Sequence, residues 1–147
     1  MGTRSITTFI STYKDDETGK RKNKKIVTMY RQYDGYPSGH GRELAEFLAD
    51  GEVVNGYGTT DKKIFNGIGC LTAQVVAHFK DGVGNIYLEA PRKPDWEDYA
   101  YEVIVDWDTK EITLRVIEVG YESPNKTIFK GSPKELVEAI ETEAIEG

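Results

Sequence analysis

The stretch YAYEVIVDWDTKEITLRVIEV, from Tyr99 to Val119, limits the possible folds more than any other part of this chain. Polar and apolar residues alternate on both sides of Asp108–Lys110, the pattern of two strands about a turn. Tyr101, Val103, Val105 and Trp107 then share one face. An isolated hairpin is marginal in water, so further strands must cover it. TRSITTFISTY (Thr3–Tyr13) and KKIVTMYRQY (Lys24–Tyr33) supply them, both rich in β-branched and aromatic residues. Between these two lies KDDETGKRKNK, expected to be a long exposed hairpin loop around Gly19. Its cations from Lys20 to Lys25 are read as a solvated tip beside Asp15, Asp16 and Glu17 rather than as a nucleic-acid contact. NIYLEAP reads as a short strand ended by Pro91, and NKTIFKG as an edge strand.

Three segments carry helical periodicity instead. RELAEFLADG places Leu44, Phe47 and Leu48 on one side and stops at Gly51. GCLTAQVVAHFKDG does the same with Leu71, Val75, Val76 and Phe79, and carries Cys70 and His78 on or beside it. SPKELVEAIETEAIEG begins with Ser132 as N-cap, Pro133 in the first turn and Glu135 three residues on, with Leu136, Val137, Ile140 and Ala144 facing inward. GEVVNGYGTTDKKIFNGIG is read as a glycine-rich connection without elements of its own. Hairpins dominate and no βαβ alternation occurs. The expected fold is one α+β domain over residues 1–147, an antiparallel sheet of about five to six strands with about three helices packed on it.

A chain of this size buries enough surface to fold without metal or disulfide staples. The single Cys70 has no intrachain partner, and no apolar run reaches membrane-spanning length, which points to the cytoplasm. The net charge of −6 argues against binding to extended nucleic acid and leaves room for a small anion held by local cations. No cofactor is expected. Only His40 and His78 stand beside the lone Cys70, too sparse and too far apart for a metal site or a Cys–His nucleophile.

QYDGYPSGHGRELAEFL, Gln32 to Leu48, is the stretch with most chemistry in it. Gly35, Gly39 and Gly41 permit close approach of backbone to a ligand, and Pro37 stiffens the turn. The following helix start is a natural seat for phosphate or carboxylate. His40 and Arg42 add donors there, Arg4 backs the site, and Tyr33 and Tyr36 offer stacking faces beside Asp34. Two readings stand side by side: a ligand-binding loop, or two consecutive turns in which Asp34 bonds backbone amides. Arg4 likewise either braces Asp34 as an ion pair or meets a ligand phosphate.

The GTR start and the QYDGYPSGHG turn resemble a group of small phage-type proteins that share a GTR strand and a DGYP-G-G turn. The likeness covers about the first third of the chain, through Arg4, Asp34, Gly35, Tyr36, Pro37, Gly39 and Gly41. It implies a phage-type accessory protein, and with it a role against host defence in the host cytoplasm. The resulting expectation is a non-enzymatic protein that sequesters an anionic, nucleotide-like ligand, a cyclic nucleotide immune signal being one form. Tyr33 or Tyr36 would stack, and Gly39, His40, Gly41 and Arg42 would hold phosphate. A homo-oligomer is expected from ligand symmetry alone.

Rival expectations use other residues. An acidic inhibitor of a host defence or nucleic-acid-binding protein would present Glu135, Glu138, Glu141, Glu143 and Glu146. A phosphodiester hydrolase would use His40 with Asp34. Arg92, Lys93 and Trp96, in the polar loop PRKPDWEDY, form a secondary anion site, and the NGIGC turn at Asn66–Cys70 a third.

Overall fold

The computed structural model describes residues 2–56 and 63–145. The chain runs β1 (Ser5–Lys14), β2 (Arg21–Arg31), a π-helical turn (Pro37–Gly41), α1 (Arg42–Ala49), β3 (Gly51–Val54), β4 (Lys63–Asn66) and α2 (Gly67–Phe79). It continues through β5 (Ile86–Glu89), β6 (Tyr99–Asp106), β7 (Ile112–Glu118) and β8 (Lys126–Gly131) to α3 (Pro133–Glu141). Six strands form one sheet in the order β5-β2-β1-β6-β7-β8, and the α+β single-domain expectation holds.

The sheet is antiparallel except at its centre, where β1 and β6 run parallel from Ser5↔Tyr99 to Thr12↔Asp106. Topology explains this. The N-terminal hairpin pairs β5 on its outer side through β2, so the chain must cross both hairpin strands before β6 can pair with β1. PRKPDWED makes that crossing, which accounts for a loop longer and stiffer than a turn.

All three helices pack on one face. Phe9, Met29, Tyr101, Val103, Val105, Leu114 and Val116 project from the sheet toward Leu44 and Leu48 of α1, Leu71, Val75 and Phe79 of α2, and Leu136 of α3. On the opposite face Ile6, Ala100, Ile117 and Val119 form a small buried cluster with Tyr30 against it, and Thr8 and Ile10 are buried further along β1.

Four details differ from the sequence reading. The charged hairpin connection is short, because β1 and β2 extend to Lys14 and Arg21 and a turn over residues 15–20 joins them. Arg21 through Lys25 therefore lie on a strand. The glycine-rich connection contains a two-stranded parallel sheet, β3 with β4, where Gly51 lets Phe65 lie directly on the backbone. The part of that connection at 57–62 lies outside the described residues. Finally, α3 stops at Glu141, so Ala144 is exposed rather than inward. Its capping box forms as expected, with the Glu135 amide donating to Ser132 Oγ and the Ser132 amide to Glu135 Oε1.

Candidate ligand-binding surface

In the turn between β2 and α1, the glycines are explained by protein contacts. A Cβ on Gly35 would stand 2.7 Å from the Ser5 Cβ, and one on Gly39 would stand 2.7 Å from the Asp34 carbonyl oxygen. At Gly41 the neighbour is the Tyr101 ring. The Tyr101 hydroxyl also donates to the Gly35 carbonyl, 2.7 Å away. Asp34 sits in the left-handed region at φ 58°, where Asp is tolerated better than most residues.

The helix start that was expected to receive an anion is already occupied by its own chain. Tyr36 is the extended residue before the π-helical turn, which runs directly into α1. The Gly39 amide donates to the Tyr36 carbonyl, the His40 amide to the Asp34 carbonyl, and the Arg42 amide to the carbonyls of Gly39 and Pro37. The amides proposed for phosphate at Gly39, His40 and Arg42 are thus bonded internally.

His40 is fully buried, 0% exposed. Its Nδ1 lies 3.1 Å from Arg31 Nη1 and its Nε2 2.7 Å from Thr7 Oγ1. Arginine only donates, so Nδ1 must accept, and the proton resides on Nε2, which donates to Thr7. Burial, and after it the Arg31 charge, push the imidazole pKa down to about 3. Phe79 and Tyr101 enclose the ring. Both nitrogens are engaged and neither reaches solvent, so His40 offers no base to a hydrolytic reaction with Asp34. Ser5 Oγ, against Gly35, and Arg31 Nε are buried without a hydrogen-bond partner among the described residues.

The other groups of the turn are likewise diverted. Arg42 pairs with Glu46 at 2.8 Å and with Glu141 of α3 at 3.0 Å. Arg4 lies over the Trp96 ring, 4.3 Å from its centroid, and does not reach Asp34; its amide instead donates to Asp98 Oδ2. Tyr36 folds against Gly39, and Tyr33 against Gly2. Both tyrosines keep an exposed edge, and they are not brought to a common cavity.

A different assembly of charges occupies the helix-free face. Strand register places Ile6 beside Tyr30 and Ala100, Thr8 beside Thr28 and Glu102, and Ile10 beside Lys25 and Ile104. Arg115 lies opposite Glu102 on one side and Lys130 on the other. A bulge at Phe9/Ile10 sets this register by bringing Lys25 to the open face.

The crossover loop forms one wall. Glu97, fully buried, holds it through both Arg92 nitrogens at 3.1 and 3.0 Å and the Asp95 amide. Burial would raise the Glu97 pKa, but the Arg92 pair and the Asp95 amide outweigh it and hold the carboxyl below its ordinary value. Arg92 is pushed up by the same pair. Of the secondary candidates, Arg92 is therefore structural first, Lys93 is exposed, and Trp96 leans on Tyr30 while remaining 46% exposed.

Beside this wall run two adjoining grooves of about 310 and 570 Å³. Their charged lining is Lys25, Arg92, Lys93, Arg115 and Lys130, against the single carboxylate of Glu102. Lys25, Lys93 and Lys130 have no ion-pair partner among the described residues. Sequence reasoning set Lys25 aside as part of a solvated tip and missed Arg115 and Lys130, because only strand register reveals that residues from β2, β7 and β8 share a face. Alternation within each strand was the one available signal.

The remaining candidates are dispersed. Glu135, Glu138, Glu141 and Glu143 are exposed, with Glu135 in the capping box and Glu141 on Arg42, while Glu146 lies outside the described residues. Cys70 accepts a bond from Gln74 and His78 stacks on Phe47. The expected Asn66–Cys70 turn is not one: β4 ends at Asn66 and Gly67–Cys70 are already the first residues of α2, which starts without a side-chain cap. Among the described residues no cluster of His, Cys, Asp and Glu suits a metal ion, and no helix is long and apolar enough to cross a membrane. No family model, curated protein or solved structure matches the chain.

Proposed function

We propose that this protein is a non-enzymatic binder of an anionic, nucleotide-like ligand, and that the ligand lies on the helix-free face of the sheet. One observation carries this reading: Lys25, Lys93 and Lys130 face adjoining grooves without ion-pair partners among the described residues. Lysines left unpaired around a concave surface attract anions at low desolvation cost. Ile10 and Ile104 give the larger groove, and Ile6 and Ile117 the smaller, an apolar floor suited to a ligand that is part planar ring and part phosphate. The role extends to sequestration by a phage-type accessory protein through the resemblance at the N-terminal third.

Differential melting with nucleoside triphosphates and short oligonucleotides tests the reading, with mass spectrometry of the mixture afterwards. A ligand at a hundred times its dissociation constant adds about 2.7 kcal/mol to the folded state, a clear rise in Tm. The shift should vanish in Lys25→Glu/Lys130→Glu and persist in Arg42→Ala. A chemically altered ligand overturns the non-enzymatic assignment. No shift with any anion sinks the binding reading and turns attention to the exposed glutamates of α3 as an inhibitory surface for a basic host protein.

A further inference from the structure

The grooves on the open face do not end at the lysines. Arg92 lines both the 310 Å³ groove and a third one, of about 280 Å³, on the other side of the crossover loop. That third groove is formed by Tyr30, Glu89, Arg92, Asp95 and Trp96. We infer that the three grooves together take a short single-stranded nucleic-acid segment, with a base at the aromatic end and phosphates along the lysines. This rests on the anion-binding reading above and specifies its ligand.

The chemistry changes along the track in the way a strand requires. At the β5–β2 edge, Tyr30 lies between two exposed aromatic rings, with centroids 6.1 Å from Tyr87 and 5.7 Å from Trp96. Tyr87 and Trp96 are each 46% exposed. Arg4 lies over the Trp96 ring, 4.3 Å from its centroid, and Lys80 Nζ lies 5.6 Å from that of Tyr87, so a base reaches each ring from the side its cation leaves open. Every base has a π-face, and stacking on such rings is the common means of holding unpaired strands. In the same groove Glu89 accepts from Arg92 through Oε2, 2.9 Å away, leaving Oε1 and the Asp95 carboxylate as acceptors, which favours bases bearing an exocyclic amino group. Beyond Arg92 the lining becomes cationic, through Lys93, Lys25 and Arg115 to Lys130 on the far strand β8.

Length separates a strand from a mononucleotide. Six strands leave five spacings between β5 and β8, or about 24 Å at ~4.8 Å each. That is more than one nucleotide covers and corresponds to on the order of four, near the lower end of known single-strand grooves. The net charge of −6 averages over the whole surface, whereas a strand on this face meets the lysines.

The test is fluorescence anisotropy of the full chain with end-labelled octadeoxycytidylate, octathymidylate, the dinucleotide and the mononucleotide. Affinity should rise with length up to about four nucleotides and level off, and it should fall steeply with salt. Octadeoxycytidylate should bind more tightly than octathymidylate, which lacks an amino group. Lys25→Glu/Lys130→Glu should weaken the octamer by more than tenfold, and Trp96→Ala by about tenfold. Lys134→Glu on α3 is the control and should change nothing, with melting curves confirming that every variant is folded.

A mononucleotide that binds as tightly as the octamer, and is lost on charge reversal, overturns the strand and leaves the anion site standing. Equal binding of the two octamers overturns the base pocket. Polyglutamate of matched charge binding as well as the octamer replaces nucleic acid with an acidic protein segment. If no anion binds at all, both this inference and the reading beneath it fail.

Discussion

In the turn between β2 and α1, an imidazole, two guanidinium groups and three glycines stand within a few residues of one another. On the helix-free face, the lysines come from strands far apart in sequence and meet only through register. The turn's main polar groups are engaged by the protein itself: buried His40 binds Thr7 and Arg31, half-exposed Arg42 binds two glutamates, and the glycines admit Ser5, the Asp34 carbonyl and Tyr101. The open face leaves its lysines turned to solvent over concave surface. A dense motif is thus the mark of a demanding backbone path, while the groups available to a ligand are spread thinly along the chain.

That contrast is most strongly tested at His40. His40→Ala opens a cavity, removes the Thr7 Oγ1 partner and leaves Arg31 with only Glu43, 3.5 Å away, and should cost about 3–5 kcal/mol, measured by urea unfolding. If His40 were a ligand group, binding would fall and stability would hardly move.

Charge reversal on the sheet should behave in the opposite way. Lys25→Glu/Lys130→Glu is expected to abolish most anion binding while stability stays within about 0.5 kcal/mol, as for other exposed substitutions. Equal losses in both measurements would blur the distinction between the two regions.

A pH titration of stability sharpens it further. His40 is neutral in the fold, with its pKa lowered to about 3, whereas the unfolded chain takes up a proton below about 6.5. The unfolded state therefore binds more protons across that window. The stabilisation is complete above pH ~6.5 and declines by about 1.4 kcal/mol for each pH unit below it. Between pH 6.5 and roughly 5 the carboxylates contribute little, so His40→Asn should flatten this slope. A wild-type slope unchanged in His40→Asn would place the titrating group elsewhere.

The smallest effect belongs to Arg42→Ala. Its ion pairs are half exposed, so stability should drop by no more than about 1 kcal/mol. Anion affinity should not change, as judged by the same melting assay.

Much of the fold was legible because it depends on local pattern. Alternation between Tyr99 and Val119 specified β6 and β7, and Ser132, Pro133 and Glu135 specified the start of α3. The parallel β1–β6 pairing was not legible, since it follows from where β5 attaches and how the crossover loop must travel. β3 and β4 were hidden by glycines that suggest loops, although Gly51 is there to admit Phe65. For the site, sequence identified the turn as unusual but did not reveal that His40 is buried. Whether His40 points out or in depends on Thr7 and Arg31 across two strands, and no local rule carries that. Arg92, Lys93 and Trp96 were found because prolines and mixed charge mark a loop, yet their partners Lys25, Arg115 and Lys130 needed the sheet.

The most direct measurement is amide chemical-shift mapping of the full chain during titration with a short oligonucleotide. The expected result is perturbation concentrated at Lys25, Lys93, Arg115, Thr127 and Lys130, with Gly35–Arg42 still. Shifts centred on Gly35–Arg42, with the sheet face unmoved, would contradict the account at its centre.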